Sequence, residues 1–179
     1  MKLEFLEKLS NADGIASNEG EVRKVLYDEL KDYADEVSCD NLGSIIFKKG
    51  NSGPKIMICA HMDEVGFIVR SISDMGQVML MHVGGVKPLA QFMQRVRITT
   101  EDGRKIHGII QATYDNGSAT KVYVDIGADN EPEVSALGIN VGDMVNYTVD
   151  FDQFSIVVCL SGQEFDYRLG CFLLGTVFN

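Results

Sequence analysis

Residues 55–66 read Lys-Ile-Met-Ile-Cys-Ala-His-Met-Asp-Glu-Val-Gly, and the fold is best read outward from them. Ile56 to Ala60 is apolar at successive positions, which predicts a strand covered on both faces, as in the middle of an α/β sheet. On this reading Cys59 is a small buried hydrophobe. Ahead of the run, 48–54 (Lys-Lys-Gly-Asn-Ser-Gly-Pro) is strong turn chemistry, and 42–47 is a second short strand.

Two helices are expected before these strands. Leu3, Leu6 and Leu9 recur at helical spacing, and Ala12-Asp13-Gly14 ends that element. Asn18 and Glu21 stand in the N-cap and N3 relationship of a capping box, and Val22, Val25, Leu26 and Leu30 should form the buried face of the second helix. Two helices followed by a covered strand suggest the start of an α/β domain.

The pattern changes after residue 66. Short strands are expected at 66–72, 77–83, 95–100, 105–111, 120–125, 144–150 and 154–160, separated by turns such as Asp74-Met75-Gly76 and Asp115-Asn116-Gly117. Seven strands at this spacing predict a small all-β barrel or sandwich, interrupted by one short helix near 132–137. From Asp166 to Phe178 the chain turns helical and very apolar. The expected organisation is therefore an α/β part over 1–65, an inserted β-barrel-like domain over 66–160, and a return to the first part over 161–179.

Charge excludes one class of partner. The chain has 179 residues, 26 acidic and 16 basic, for a formal net charge of −10, which disfavours a nucleic-acid backbone binder. No apolar run reaches the roughly 18–20 residues that span a bilayer, so no membrane partner is expected. The first residues lack the continuous apolar segment of a secretory signal, and Cys39, Cys59, Cys159 and Cys171 form no CxxC pair. A reduced, cytoplasmic protein is the expectation.

The chemistry-bearing residues are few. His61 and Asp63 follow the covered strand at its C-terminal end, where ligands bind open α/β sheets. An imidazole there suits a transition metal, and a carboxylate two residues on can take its other N–H; a hydrogen-bonded strand-end histidine is the plainer alternative. Asp166 opens the last helix, as a cap or as a carboxylate turned toward a metal. His82 and His107 read as ordinary strand residues, and the methionines as adaptable core and interface packing.

Taken with their neighbours, these residues resemble metallopeptidase family 42, the glutamyl and deblocking aminopeptidases. The resemblance rests on Asn18-Glu19-Gly20-Glu21-Val22-Arg23, Asp40-Asn41-Leu42-Gly43-Ser44, Ala60-His61-Met62-Asp63-Glu64-Val65-Gly66-Phe67, Val83-Gly84-Gly85, Val124-Asp125-Ile126-Gly127-Ala128 and Phe165-Asp166-Tyr167-Arg168-Leu169-Gly170-Cys171, in that order. It implies an α/β peptidase domain with an inserted PDZ-like, barrel-like dimerisation domain. It also implies a hydrolase that removes N-terminal residues, glutamate or aspartate among them, from peptides with two divalent metals, zinc or cobalt. Carried over, His61 ligates one metal, Asp63 orients His61 as a catalytic residue, and Asp166 bridges both metals across a cis peptide to Tyr167. The chain departs from the family at Tyr167, where Asp or Asn is usual, and at Gln163-Glu164.

The ligand inventory stops early. Thirteen residues follow Asp166, and none is His, Asp or Glu. A dinuclear centre needs about five or six protein ligands and a general base, which the resemblance puts past Asn179. The expectation is a truncated peptidase that is inactive alone and forms homo-oligomers through the β domain and the apolar tail. The alternatives are a non-catalytic assembly protein, or half of a split enzyme completed by a complementary C-terminal chain.

Overall fold

A computed structural model describes residues 3–87, 90–116, 118–155, 159–163 and 165–178. The chain divides into two compact units, 1–64 with 149–179, and 65–148. The second crossing falls about a dozen residues earlier than the sequence pattern suggests.

The first unit starts with α1 (Leu3–Asn11) and α2 (Gly20–Leu30). Their apolar stripes are the ones expected: Phe5, Leu6 and Leu9 on α1 and Val22, Leu26 and Leu30 on α2 are buried. The antiparallel pair β1 (Glu36–Cys39) and β2 (Ile45–Lys48) follows. Late in the chain the unit adds a hairpin, β9 (Asp152–Phe154) with β10 (Cys159–Ser161), and α4 (Phe165–Phe178). Helix α4 supplies Cys171 and Phe172 to the same core, where Phe172 meets Phe5 at 5.6 Å between ring centroids. Gly175 sits one turn further along α4, and a Cβ there would stand 2.9 Å from the Phe5 ring. A glycine inside a helix costs about 1 kcal/mol against alanine, and here it lets α4 approach α1.

Three expectations about this unit fail. Residues 55–60 form no strand, and Ile56, Met57 and Ile58 are 82%, 87% and 62% exposed. A central strand is covered only when neighbours pair with it on both sides, and no described residue does so. Cys59 is accordingly exposed, and all four cysteines are free thiols. The capping box does not form either. The residue preceding α2 is Glu19, with no side-chain cap, while Glu21 accepts the backbone N–H of Asp13. Ser17 takes a positive φ, 71°, so the chain enters the helix from a turn that Asn18 cannot cap.

The second unit is a closed antiparallel barrel of six strands: β3 (Gly66–Ile72), β4 (Val78–Val83), β5 (Arg95–Thr99), β6 (Lys105–Asp115), β7 (Ser118–Asp125) and β8 (Met144–Tyr147). Their order is β3-β4-β7-β6-β5-β8, and β8 pairs back onto β3. Alternate residues fill the interior, Phe67 and Val69 from β3, Val96 and Ile98 from β5, and Ile110, Val124 and Val145 from the others. The expected seventh strand, 154–160, is not a barrel strand. Its described ends belong to β9 and β10, and 156–158 lie outside the described residues. Closure with six strands leaves no edge for a seventh.

Helix α3 (Glu131–Ala136) lies near its expected place. Asn130 caps it by accepting the Glu133 N–H at 3.0 Å, and Glu133 accepts the Asp129 N–H at 2.9 Å. Among the described residues, no helix is long and apolar enough to cross a membrane.

Candidate functional site

The site is assembled from 60–64 and the start of α4, all within the first unit. His61 Nδ1 lies 3.1 Å from both the carboxylate and the backbone oxygen of Asp63. A hydrogen on Nδ1 donates to Asp63, which leaves Nε2 as the nitrogen with a lone pair to offer a metal. Both side chains are partly exposed, as an accessible ligand pair requires.

Asp166 is exposed in the first turn of α4. Four residues on, and so on the same helix face, Gly170 packs toward Ala60, whose Cβ would be 3.3 Å from a Cβ added at Gly170. The neighbouring Cys171 thiol donates to the His61 carbonyl at 3.3 Å. The turn of α4 that follows Asp166 thus packs against Ala60 and His61. The 166–167 peptide lies inside the helix, and no cis peptide occurs among the described residues.

The residue that sequence reasoning passed over is Glu64. Its carboxylate is buried and accepts from Gln163 Nε2 at 2.8 and 3.0 Å and from the Gly14 N–H at 3.2 Å. The Glu64 N–H donates in return to the Gly14 carbonyl at 2.8 Å. Arg168 Nη2 stands 3.6 Å away, and Arg168 Nη1 donates to the Leu9 carbonyl at 2.8 Å. Burial pushes the Glu64 carboxyl up to about 7, against the opposing pull of Arg168, Gln163 and Gly14. The available signal was Arg168 itself, the one charged side chain between Tyr167 and Phe178 in an apolar helix, since such a charge is rarely buried unpaired. Gln163, a departure from the family pattern, has a function here as a donor to Glu64.

The remaining histidines stand apart from this cluster. His82 Nε2 lies 2.8 Å from Gln91 Oε1, and Gln91 donates to the Val86 carbonyl at 2.9 Å. His107 is exposed on β6. Met57, Met75, Met81 and Met93 are exposed and not core, whereas Met144 is buried.

An imidazole nitrogen and a carboxylate oxygen fit a zinc-like ion in donor chemistry, and the Asp63 contact supplies the usual outer partner. They are too few to hold two ions. Among the described residues, no group of three or more His, Cys, Asp or Glu could hold a metal.

The model of the M42 glutamyl aminopeptidase family matches residues 43–179, and the chain belongs to that family. It is 32% identical to the putative aminopeptidase FrvX of Escherichia coli K12, over 100% of this chain and 53% of FrvX. Among solved structures it resembles an aminopeptidase from the archaeon Desulfurococcus kamchatkensis, with TM-score 0.89 and 28% identity, over 98% of this chain and 50% of that one. It is also similar to the Pyrococcus horikoshii TET1 peptidase, described as assembling into a tetrahedron or a large octahedral shell, with TM-score 0.84 and 28% identity, over 97% and 54%. The chain spans about half the length of the relatives it matches.

Proposed function

We propose that this chain carries one side of the active centre of a metal-dependent aminopeptidase, a hydrolase acting on the N-terminal residues of peptides. His61 Nε2 would offer a ligand to a divalent ion, zinc or cobalt, Asp63 would hold the His61 tautomer, and Asp166 would add a carboxylate ligand. When bound, the metals polarise the scissile carbonyl and supply a nucleophile at neutral pH. The observation that carries the reading is the 3.1 Å His61–Asp63 contact, in a segment against which Gly170 of α4 packs.

A dinuclear centre needs more ligands than His61 and Asp166 provide, so these 179 residues by themselves are expected to show no turnover. The test is an assay on chromogenic glutamyl and leucyl substrates with added zinc or cobalt, on this chain and on a form extended by the missing half of a relative. Turnover only in the extended form is expected; turnover by these 179 residues that survives repurification refutes the assignment.

A second reading, self-association, is favoured by the exposed apolar residues Ile56, Met57, Ile58, Leu173 and Val177. The six-stranded barrel is a further candidate for contacts between copies, in the manner of a PDZ-like dimerisation domain.

A further inference from the structure

We propose that Glu64 is a positioning residue, which locks the segment carrying His61 and Asp63 to the start of the helix carrying Asp166. The inference rests on the metallopeptidase reading above. It follows from where the partners of this one carboxylate lie in the chain. Gln163 is three residues before Asp166 and Arg168 two residues after it, so the candidate ligand is bracketed by side chains that meet at Glu64. Glu64 itself is the residue next to Asp63. Gly14, from the loop after α1, closes the same hub in both directions, as donor to the Glu64 carboxylate and acceptor of its N–H.

Packing alone does not call for this arrangement. An apolar side chain would fill the space without the cost of removing a carboxylate from water. What the carboxylate adds is direction. Hydrogen bonds from Gln163 and Gly14 and the ion pair with Arg168 set the orientation of residue 64, and with it the path of the residues before it. His61 and Asp166 belong to segments about a hundred residues apart in sequence. A shared metal needs them held to within roughly half an ångström. The Cys171 thiol on the His61 carbonyl is a second tie between the same two segments.

The test follows the His61 ring by 15N NMR in the full chain, with Glu64→Gln and Gln163→Ala as variants. Leu6→Ala, a core truncation that removes none of the side chains bonded to Glu64, is the control for lost stability. In the parent chain the ring nitrogens should report the Nδ1–H tautomer, and cobalt(II) alone should broaden the His61 and Asp166 signals together. Both hub variants should shift the ring away from that tautomer, and should need at least about tenfold more cobalt for the same joint broadening, the usual scale for outer-shell partners. Leu6→Ala should lower the melting temperature and leave both readouts unchanged. Either hub variant, folded and with parent-like signals, overturns the proposal, as does an equal shift in Leu6→Ala. If cobalt broadens neither residue in the parent, the metal assignment fails, and the tautomer comparison still decides whether Glu64 positions His61.

Discussion

Arg168 Nη2 stands 3.6 Å from Glu64 Oε1, and the two side chains are 1% and 2% exposed. A charged pair so far removed from water is held by its partners on all sides, and it joins the segment after His61 and Asp63 to the last helix. Removing one member therefore costs more than the pair contributes.

Arg168→Met leaves the Glu64 carboxylate buried without its counter-charge. The expected loss is about 3–5 kcal/mol in urea unfolding at pH 8. At pH 5 the loss should be smaller, because a protonated Glu64 carries no charge to strand. A loss independent of pH would show that the pair is not charged in the folded chain.

The raised Glu64 pKa has its own signature. Its ordinary value is 4.5 and its folded value about 7, so the folded chain holds the proton more tightly. The stabilisation is complete below about pH 4.5 and is lost as pH rises through about 7. The difference is about 3 kcal/mol at most. Unfolding followed from pH 5 to 8 should show stability falling, and Glu64→Gln should flatten that slope.

Gly175 is a packing constraint rather than a flexible point. Gly175→Val drives a branched side chain against the Phe5 ring, already 2.9 Å from where a Cβ would sit. Overpacking of this kind costs about 1–3 kcal/mol. Thermal unfolding of Gly175→Val alone and with Phe5→Leu measures it, and the second change should recover part of the loss.

Met57→Lys and Ile58→Ser, in the exposed 56–58 run, should change unfolding by less than about 0.5 kcal/mol, as surface substitutions do. Light scattering at micromolar concentration should show less self-association than in the parent. An unchanged mass would place the contacts between copies elsewhere, with the barrel the next candidate.

Much of this architecture was legible along the chain. The Leu3, Leu6, Leu9 stripe and the Val22, Leu26, Leu30 stripe identify α1 and α2 because a helical period needs only local spacing. The strands from Gly66 onward declare themselves by alternation and by turns such as Asp115-Asn116-Gly117. The capping box at Asn18 misled because the chain reaches α2 through a turn at Ser17, and Glu21 is drawn instead to Asp13. The run 56–60 misled because apolar sequence records a need for cover, and whether cover is present depends on other segments.

By itself the sequence determined the helices, the change to a β domain, the family, and the order His61, Asp63, Asp166 in which the candidate site residues occur. The tertiary structure alone decided that the barrel closes with six strands, that β9 and β10 belong to the first unit, and that Glu64 is buried against Gln163, Gly14 and Arg168. The reason is range. Periodicity and turn chemistry act over a few residues, whereas a buried carboxylate acquires its meaning from donors 50 to about 100 positions away.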